Sequence, residues 1–264
     1  MSRQNYYAQR RRRKRQRVDG DLVERLVGRE RFMQPRLGGR KLHHMLKKKS
    51  AQEGVKLGRD RFFKVLGERH LLLEPKAAAY PCTTNSRHNL PIFTNQIKGV
   101  EVTGANQVWV SDITYLRTRE GFLYLALITD KWSRKIVGHH CGDSLEAEGC
   151  LKALEMALEK LPEETRPIHH SDRGSQYCCH LYVERLQKSC LRVSMTEKDH
   201  CAENAMAERV NGILKQEYEL GVEFGTKASA LRAVAQSIWL YNSRRPHEAL
   251  DYRVPDQVHE FGLN

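Results

Sequence analysis

No run of about eighteen apolar residues occurs anywhere in this 264-residue chain, and its first residues are cationic rather than apolar. Those two absences exclude a membrane-spanning helix and give no sign of a secretory leader. Seven cysteines are therefore not read as a disulfide framework. Cys178-Cys179-His180 and His200-Cys201 fit no regular zinc-module spacing, so small buried or surface thiols are expected. The expectation is a reduced, cytoplasmic protein with no membrane partner. Acid is the other scarcity, and it is confined to one part of the chain. Residues 1–100 carry 25 Lys+Arg against 8 Asp+Glu, a net of +17, whereas residues 101–264 carry 20 against 24, a net of −4, and together they give +13. A surface that is merely soluble has no use for that asymmetry. It points to a phosphate-binding first part and a second part that keeps its acids for chemistry.

Three of those acids sit in unusual company. Asp112 lies inside Val108-Trp109-Val110-Ser111-Asp112-Ile113-Thr114-Tyr115-Leu116, a β-branched and aromatic run typical of a buried strand. An aspartate there is costly unless something pairs with it. Asp172 ends the short run Pro167-Ile168-His169-His170-Ser171 and meets Gly174 at once, which places it at the carboxyl end of a strand, where α/β sheets put their ligands. Glu208 lies in the Pro-free stretch Cys201 to Leu220, whose Ala202, Ala205, Met206, Val210, Ile213 and Leu214 recur at helical spacing. If the fold brings the three together, their repulsion calls for a hard divalent cation. Two such ions about 4 Å apart would activate an attacking oxygen and stabilise a leaving one, which is phosphoryl-transfer chemistry on DNA.

The words around the acids carry a resemblance. They read Trp109-x-x-Asp112-x-Thr114-Tyr115, then His170-Ser171-Asp172-x-Gly174-x-Gln176-Tyr177, then Asn204-Ala205-x-x-Glu208 followed by Leu214-Lys215-Gln216-Glu217. Thirty-five residues separate Asp172 from Glu208 (208 − 172 − 1), and a late Tyr241-Asn242-Ser243-Arg244-Arg245-Pro246-His247-Glu248-Ala249-Leu250 precedes Pro255. In this order the motifs resemble the DDE transposases and retroviral integrases, and most closely the OrfB catalytic protein of bacterial insertion sequences with two overlapping reading frames. The resemblance covers residues 106 to 258 strongly and the N-terminal part loosely. It implies an α/β, ribonuclease H-like catalytic domain with a mixed five-stranded sheet, preceded by a small all-α helix-turn-helix domain. It implies that Asp112, Asp172 and Glu208 are both catalytic residues and ligands of Mg²⁺ (or Mn²⁺), two ions per site. Element ends would be cut by water and the freed 3′-hydroxyl joined to another phosphodiester, with no covalent enzyme intermediate. The implied partners are double-stranded DNA of the terminal repeats and the target, at least a second copy of the chain, and a first-reading-frame protein or fusion. The implied location is the bacterial nucleoid. Lys215, seven residues and two helical turns after Glu208, takes the role of holding a DNA-end phosphate; the plainer reading is a surface lysine paired with Glu219.

The chain in order gives four parts. Residues 1–20 are a basic arm whose Arg10, Arg11, Arg12, Arg13, Lys14 and Arg15 suit DNA backbone, or else form a solvated tail. Residues 21–74 show three short helices, near Asp21–Arg31, Arg40–Lys49 and Arg59–Arg69. Their apolar faces leave Arg40, Lys41, Arg59, Arg61 and Lys64 for DNA, against the bland reading of a solvated three-helix bundle. Residues 75–105, with Pro75, Pro81 and Pro91, read as a linker. Residues 106–264 run strand, strand, strand, helix, strand, helix, strand, helix, helix, which fits the ribonuclease H-like sheet.

Other polar residues take supporting readings. His170 is an orienting hydrogen-bond partner rather than a ligand, since Mg²⁺ prefers oxygen; Ser171 and Asn204 stand beside it in the outer shell. Asp130 is read as a turn residue paired with Lys131 or Arg134. Glu203 stands where the resembled family has aspartate and is read as a cap or outer-shell residue. The loop Thr196-Glu197-Lys198-Asp199-His200 is acidic where the family has a basic, Gly-containing one. Tyr241, Asn242, Arg245, Pro246 and His247 are expected to cover the site or touch DNA. Two rival functions remain at this point: a metal nuclease of the same fold that does not join, and a DNA-binding regulator with an inactive catalytic half.

Overall fold

The computed structural model describes residues 3–74, 90–197 and 201–262, with the backbone alone at 12–14, 16–18, 201 and 202. The chain divides into two compact units at residue 77. Among the described residues no helix is long and apolar enough to cross a membrane.

The first unit is all helical: α1 (Arg3–Met33), α2 (Gly39–Gln52) and α3 (Arg59–Glu68). They close on Leu22, Val23, Leu26 and Val27 of α1, Leu42 and Leu46 of α2, and Phe62, Val65 and Leu66 of α3. The separate arm and first helix expected from the sequence are one helix. The reason is local: arginine, lysine and glutamine are good helix formers, and neither Pro nor Gly interrupts before Gly20. Acids in this unit clasp cations. Asp19, almost fully buried, holds Arg61 at 2.6 Å, and Arg69 is shared by Asp21 and Glu24.

The second unit is built on a five-stranded sheet of order β3-β2-β1-β4-β5. Strands β1 (Val108–Thr118), β2 (Gly121–Asp130) and β3 (Ile136–Gly142) form an antiparallel meander. Strands β4 (Ile168–Ser171) and β5 (Arg192–Met195) run parallel to β1. This is the mixed sheet expected of a ribonuclease H-like fold. Helix α4 (Ala147–Glu159) connects β3 to β4, and α5 (Ser175–Cys178) and α6 (His180–Lys188) connect β4 to β5. Helices α7 (Ala205–Glu217), α8 (Lys227–Ser243) and α9 (Pro255–Phe261) follow.

Strand alternation sorts the residues between two faces. Trp109, Ala126 and Ile128 face α4 and α6, packing with Ala153, Leu154, Tyr182 and Leu186. Val108, Val110 and Ile168 face the other way and pack on Ala207 of α7. Helix α4 lies so close to β3 that a Cβ at Gly138 would stand 2.1 Å from the Ala153 carbonyl oxygen, so only glycine fits there.

Two sequence expectations change here. Residues 90–105 are not a free linker. The backbone N–H of Gln96 donates to Ser194 Oγ at 2.8 Å, its side chain donates to the Val193 carbonyl at 2.9 Å, and Ile97 joins the Val108–Ala207 cluster. Expected linker residues 75–89 lie outside the described residues. Asp130, expected in a turn, is the last residue of β2 before one, and its partners are the Asn106 and Ser133 N–H groups at 2.7 Å and the Ser133 hydroxyl at 2.6 Å. His259 of α9, 3.8 Å away, replaces Lys131 and Arg134 as its basic neighbour.

Candidate active site

The sheet register places the first two acids. Ser111 pairs with Ser171 as the last residues at which parallel β1 and β4 meet. Asp112 and Asp172 are the next residue on each strand. Val108, Val110 and Ile168 face α7, so the alternating positions Asp112 and Asp172 continue that face side by side. The third acid comes from α7. Asn211 donates from Nδ2 to Asp112 Oδ2 at 2.8 Å, and Glu208 stands one turn before Asn211 on the same side of the helix.

Electrostatics agree with this convergence. Burial and then the Asp172 carboxylate push the Asp112 carboxyl up to about 7; Glu208 adds to the rise, while hydrogen bonds from Asn211 and the Ile113 N–H hold it back. Asp172 is fixed by its own turn, its Oδ1 accepting the Gly174 N–H at 2.9 Å. Glu208 is exposed. Among the described residues no three His, Cys, Asp or Glu side chains stand close enough to enclose an ion as they are. The trio is gathered by the backbone, but its side chains are not closed on one point.

Lys215 does belong to this place. Its Nζ lies 4.1 Å from the centre of the Tyr115 ring. Burial lowers its ammonium to about 8 against the pull of Asp112, and Arg117 lowers it further.

The expected supporting residues have the following partners. Asn204 donates to the Ser111 carbonyl at 3.1 Å and so steadies β1 next to Asp112. The Ser171 hydroxyl donates to the Asp172 carbonyl at 3.0 Å. His170 Nδ1 meets Ser194 Oγ at 2.9 Å, and burial lowers it to about 4, so it stays neutral near pH 7. His169, which the sequence did not single out, lies on the opposite face. Its Nε2 meets Ser111 Oγ at 2.7 Å and Tyr182 Oη at 2.9 Å, and burial holds it near 3. Glu203 accepts the Glu197 N–H at 2.6 Å, while Lys198, Asp199 and His200 lie outside the described residues.

Sequence reasoning missed Asn211, because an asparagine inside a helix announces no chemistry by itself. It also misplaced the late Tyr-Asn-Ser-Arg-Arg-Pro-His segment, which is structural. Asn242 bridges β3 by pairing its side chain with both the N–H and the carbonyl of Ile136, each at 2.9 Å. Arg245 is buried and donates twice to Glu217, both at 2.8 Å. Tyr241 and His247 stack edge to face at 5.0 Å, and Pro246 is buried beside them. This segment fastens α8 to β3 and to the end of α7.

The expected DNA contacts of the first unit divide. Arg10, Arg11 and Arg15 are exposed on α1, as is Arg40 on α2, while Lys41 is half-buried. The side chains of Arg12, Arg13 and Lys14 lie outside the described residues. Arg59 pairs with Asp60 at 3.1 Å and Lys64 with Glu68 at 3.8 Å, both well exposed; Arg61 is the internal clasp to Asp19.

The chain was compared with known proteins. Residues 102–201 match the family model described as Integrase core domain, and residues 189–255 match a second model of that description. The chain is 38% identical over 212 residues to the insertion element IS600 uncharacterized 31 kDa protein of Shigella sonnei, over 80% of this chain and 78% of that one. It is 37% identical over 178 residues to the transposase InsF for insertion sequence IS3A of Escherichia coli K12, over 67% of this chain; the match spans 62% of InsF. Among solved structures, a chain of the simian T-cell lymphotropic virus intasome in complex with PP2A regulatory subunit B56 gamma superposes with a TM-score of 0.52. That match covers 84% of this chain and 74% of the other at 16% identity, a likeness of fold.

Proposed function

Because the chain belongs to the IS3-type DDE transposase family, built on an integrase core, we propose that Asp112, Asp172 and Glu208 are the acids with which it cuts and joins DNA. The observation that carries this is the reach of Asn211 from α7 to Asp112 at 2.8 Å, beside an Asp172 that the β1–β4 register sets alongside. The donor chemistry suits a hard divalent ion. All three groups offer oxygen, Asn211 Oδ1 has no hydrogen-bond partner among the described residues, and His169 and His170 are engaged elsewhere. Glu208, one turn before Asn211 on the same side of α7, would complete the set by turning its side chain inward. Asp112, Asp172 and Glu208 would hold magnesium or manganese, two ions per site, which when bound would activate an attacking oxygen and offset charge on the leaving one.

The chain's own residues do the rest. Asn211 and the Ile113 N–H hold Asp112 in one orientation, Gly174 holds Asp172, and Lys215 offers its ammonium to the phosphate of a DNA end. Water cuts the element end, and the freed 3′-hydroxyl attacks a target phosphodiester. The arginines and lysines of the first unit, among them Arg10, Arg11, Arg15, Arg40, Lys41, Arg59 and Lys64, hold duplex backbone, with α2 and α3 as a helix-turn-helix. Two or more copies act on paired ends, with a first-reading-frame protein or fusion as a further partner, at the bacterial nucleoid. The test uses labelled DNA carrying the ends of the encoding element, with Mg²⁺. Wild type cleaves these ends and joins a pre-cut 3′ end to target DNA. Asp172→Asn abolishes both while DNA affinity stays within about twofold, a change worth under 0.5 kcal/mol. Equal activity in the two proteins refutes the proposed acids, and cleavage without joining reduces the enzyme to a nuclease.

A further inference from the structure

The meander face that α4 covers is not covered to its end. Ala126 and Ile128 of β2 are packed under α4, but Tyr124 and Phe122, two and four residues back on the same face, have outrun the helix. Across the hairpin Tyr115 pairs with Tyr124 and Arg117 with Phe122, so the four side chains form a two-by-two patch. Phe122 is 51% exposed and meets the Tyr115 ring edge to face, centres 5.8 Å apart at 75°. Lys215 sits on that same Tyr115 ring. Arg117 is exposed. A half-exposed phenylalanine alone on a surface is ordinary. One seated on a tyrosine, opposite an arginine and next to a lysine that faces the catalytic acids, has the makeup of a stacking platform for nucleic acid, an aromatic face flanked by cations.

Tyr115 and Phe122 lie on the α4 face of the sheet and Asp112 on the α7 face, but Lys215 of α7 reaches the Tyr115 ring at 4.1 Å, so a strand whose backbone lies at the acids meets Phe122 by turning round the β1 edge at Lys215. Strand β4 pairs with β1 no further than Ser111, and the Phe224 backbone meets the same edge at Arg117 and Arg119, so Lys215 stands at the stretch of edge between them. We propose that Phe122, supported by Tyr115 and flanked by Arg117, stacks on an unpaired nucleobase of the DNA strand whose backbone lies at Asp112, Asp172 and Glu208. This rests on the transposase reading of those acids, but it is a statement about binding. It can therefore be tested without metal or catalysis.

The probe is single-stranded oligothymidylate, with a duplex of equal length beside it. Fluorescence anisotropy is measured on the full chain in EDTA, at about 0.3 M salt so that backbone contacts are weakened. Phe122→Ala is expected to bind oligothymidylate about tenfold more weakly, the loss of one stacked base, with duplex affinity unchanged. Phe122→Trp keeps wild-type affinity, and Leu181→Ala, which trims an exposed leucine on α6, changes nothing. Unchanged oligothymidylate binding in Phe122→Ala overturns the platform, and so does an equal loss for oligothymidylate and duplex. Either result leaves the cleavage assay of Asp172→Asn to decide the catalytic reading separately.

Discussion

The acids of the helical unit and Asp112 of the sheet unit are held in different ways. In the helical unit most acids that are tied down meet a cation: Asp19 holds Arg61, Asp21 and Glu24 share Arg69, Glu53 holds Arg25 and Glu68 holds Lys64, while buried Glu30 accepts from the Gln34 amide at 3.0 Å. Apart from the part-buried Asp19–Arg61 pair these are surface clasps, and the remaining arginines and lysines set the unit's strong positive field. In the sheet unit Asp112 is held by neutral donors, the Asn211 amide and the Ile113 N–H, beside two more acids. Nature's usual remedy for a buried carboxylate, an arginine, is placed elsewhere in this unit, on Glu217. The comparison teaches where energy is stored. Pairing is used where shape must be kept, and repulsion is left standing where a cation is to be received.

Three experiments break or sharpen that contrast, in falling order of effect. The largest concerns the buried pair, whose side chains are 3% and 17% exposed. Arg245→Met strands the Glu217 carboxylate and should cost about 3–5 kcal/mol in urea unfolding of the sheet unit. Arg245→Met with Glu217→Leu should recover most of it. A single variant as stable as wild type would show that the tail does not fasten α7.

The second concerns Asp112. Its carboxyl titrates at about 7 in the folded chain and near 3.9 when unfolded. Between those values the folded state holds more protons than the unfolded one. Metal-free stability is therefore full below about pH 4 and falls as pH rises through about 7. Asp112→Asn should remove this slope and gain on the order of 2 kcal/mol at pH 8 in EDTA, allowing for partial exposure, with little change near pH 4. A wild-type unfolding midpoint that is flat across this range would remove the stored cost of the buried Asp112 charge from the account. The smallest effect concerns the helical unit. Replacing Arg10, Arg11 and Arg15 by alanine should lower the salt slope of duplex binding by about 2.7, close to 0.9 per phosphate contact, without slowing end joining at saturating DNA. An unchanged slope would mean that this part of α1 does not touch DNA.

Much of the site was legible because strand residues advertise themselves. An aspartate among Val, Trp and Ile is anomalous, and the spacing of Asp172 and Glu208 completes a pattern. What could not be read is the polar residue whose partner lies far away in sequence. Asn242 satisfies Ile136 across 106 residues, and Gln96 reaches Val193 across 97. On the page such side chains look like DNA contacts or linker. In the fold they replace missing backbone partners. Arg61 shows the same limit from the other side: its charge invited a DNA reading, and its geometry gives it to Asp19.

The pairing of Ser111 with Ser171 has one more consequence. Successive side chains alternate between faces, so adding or removing a single residue within 168–172 would carry the second acid through the sheet to the side of Tyr177 and Tyr182. Loops on either side can lengthen freely, but this strand can only be retained whole. Catalytic fidelity here is a matter of counting residues before it is a matter of choosing them.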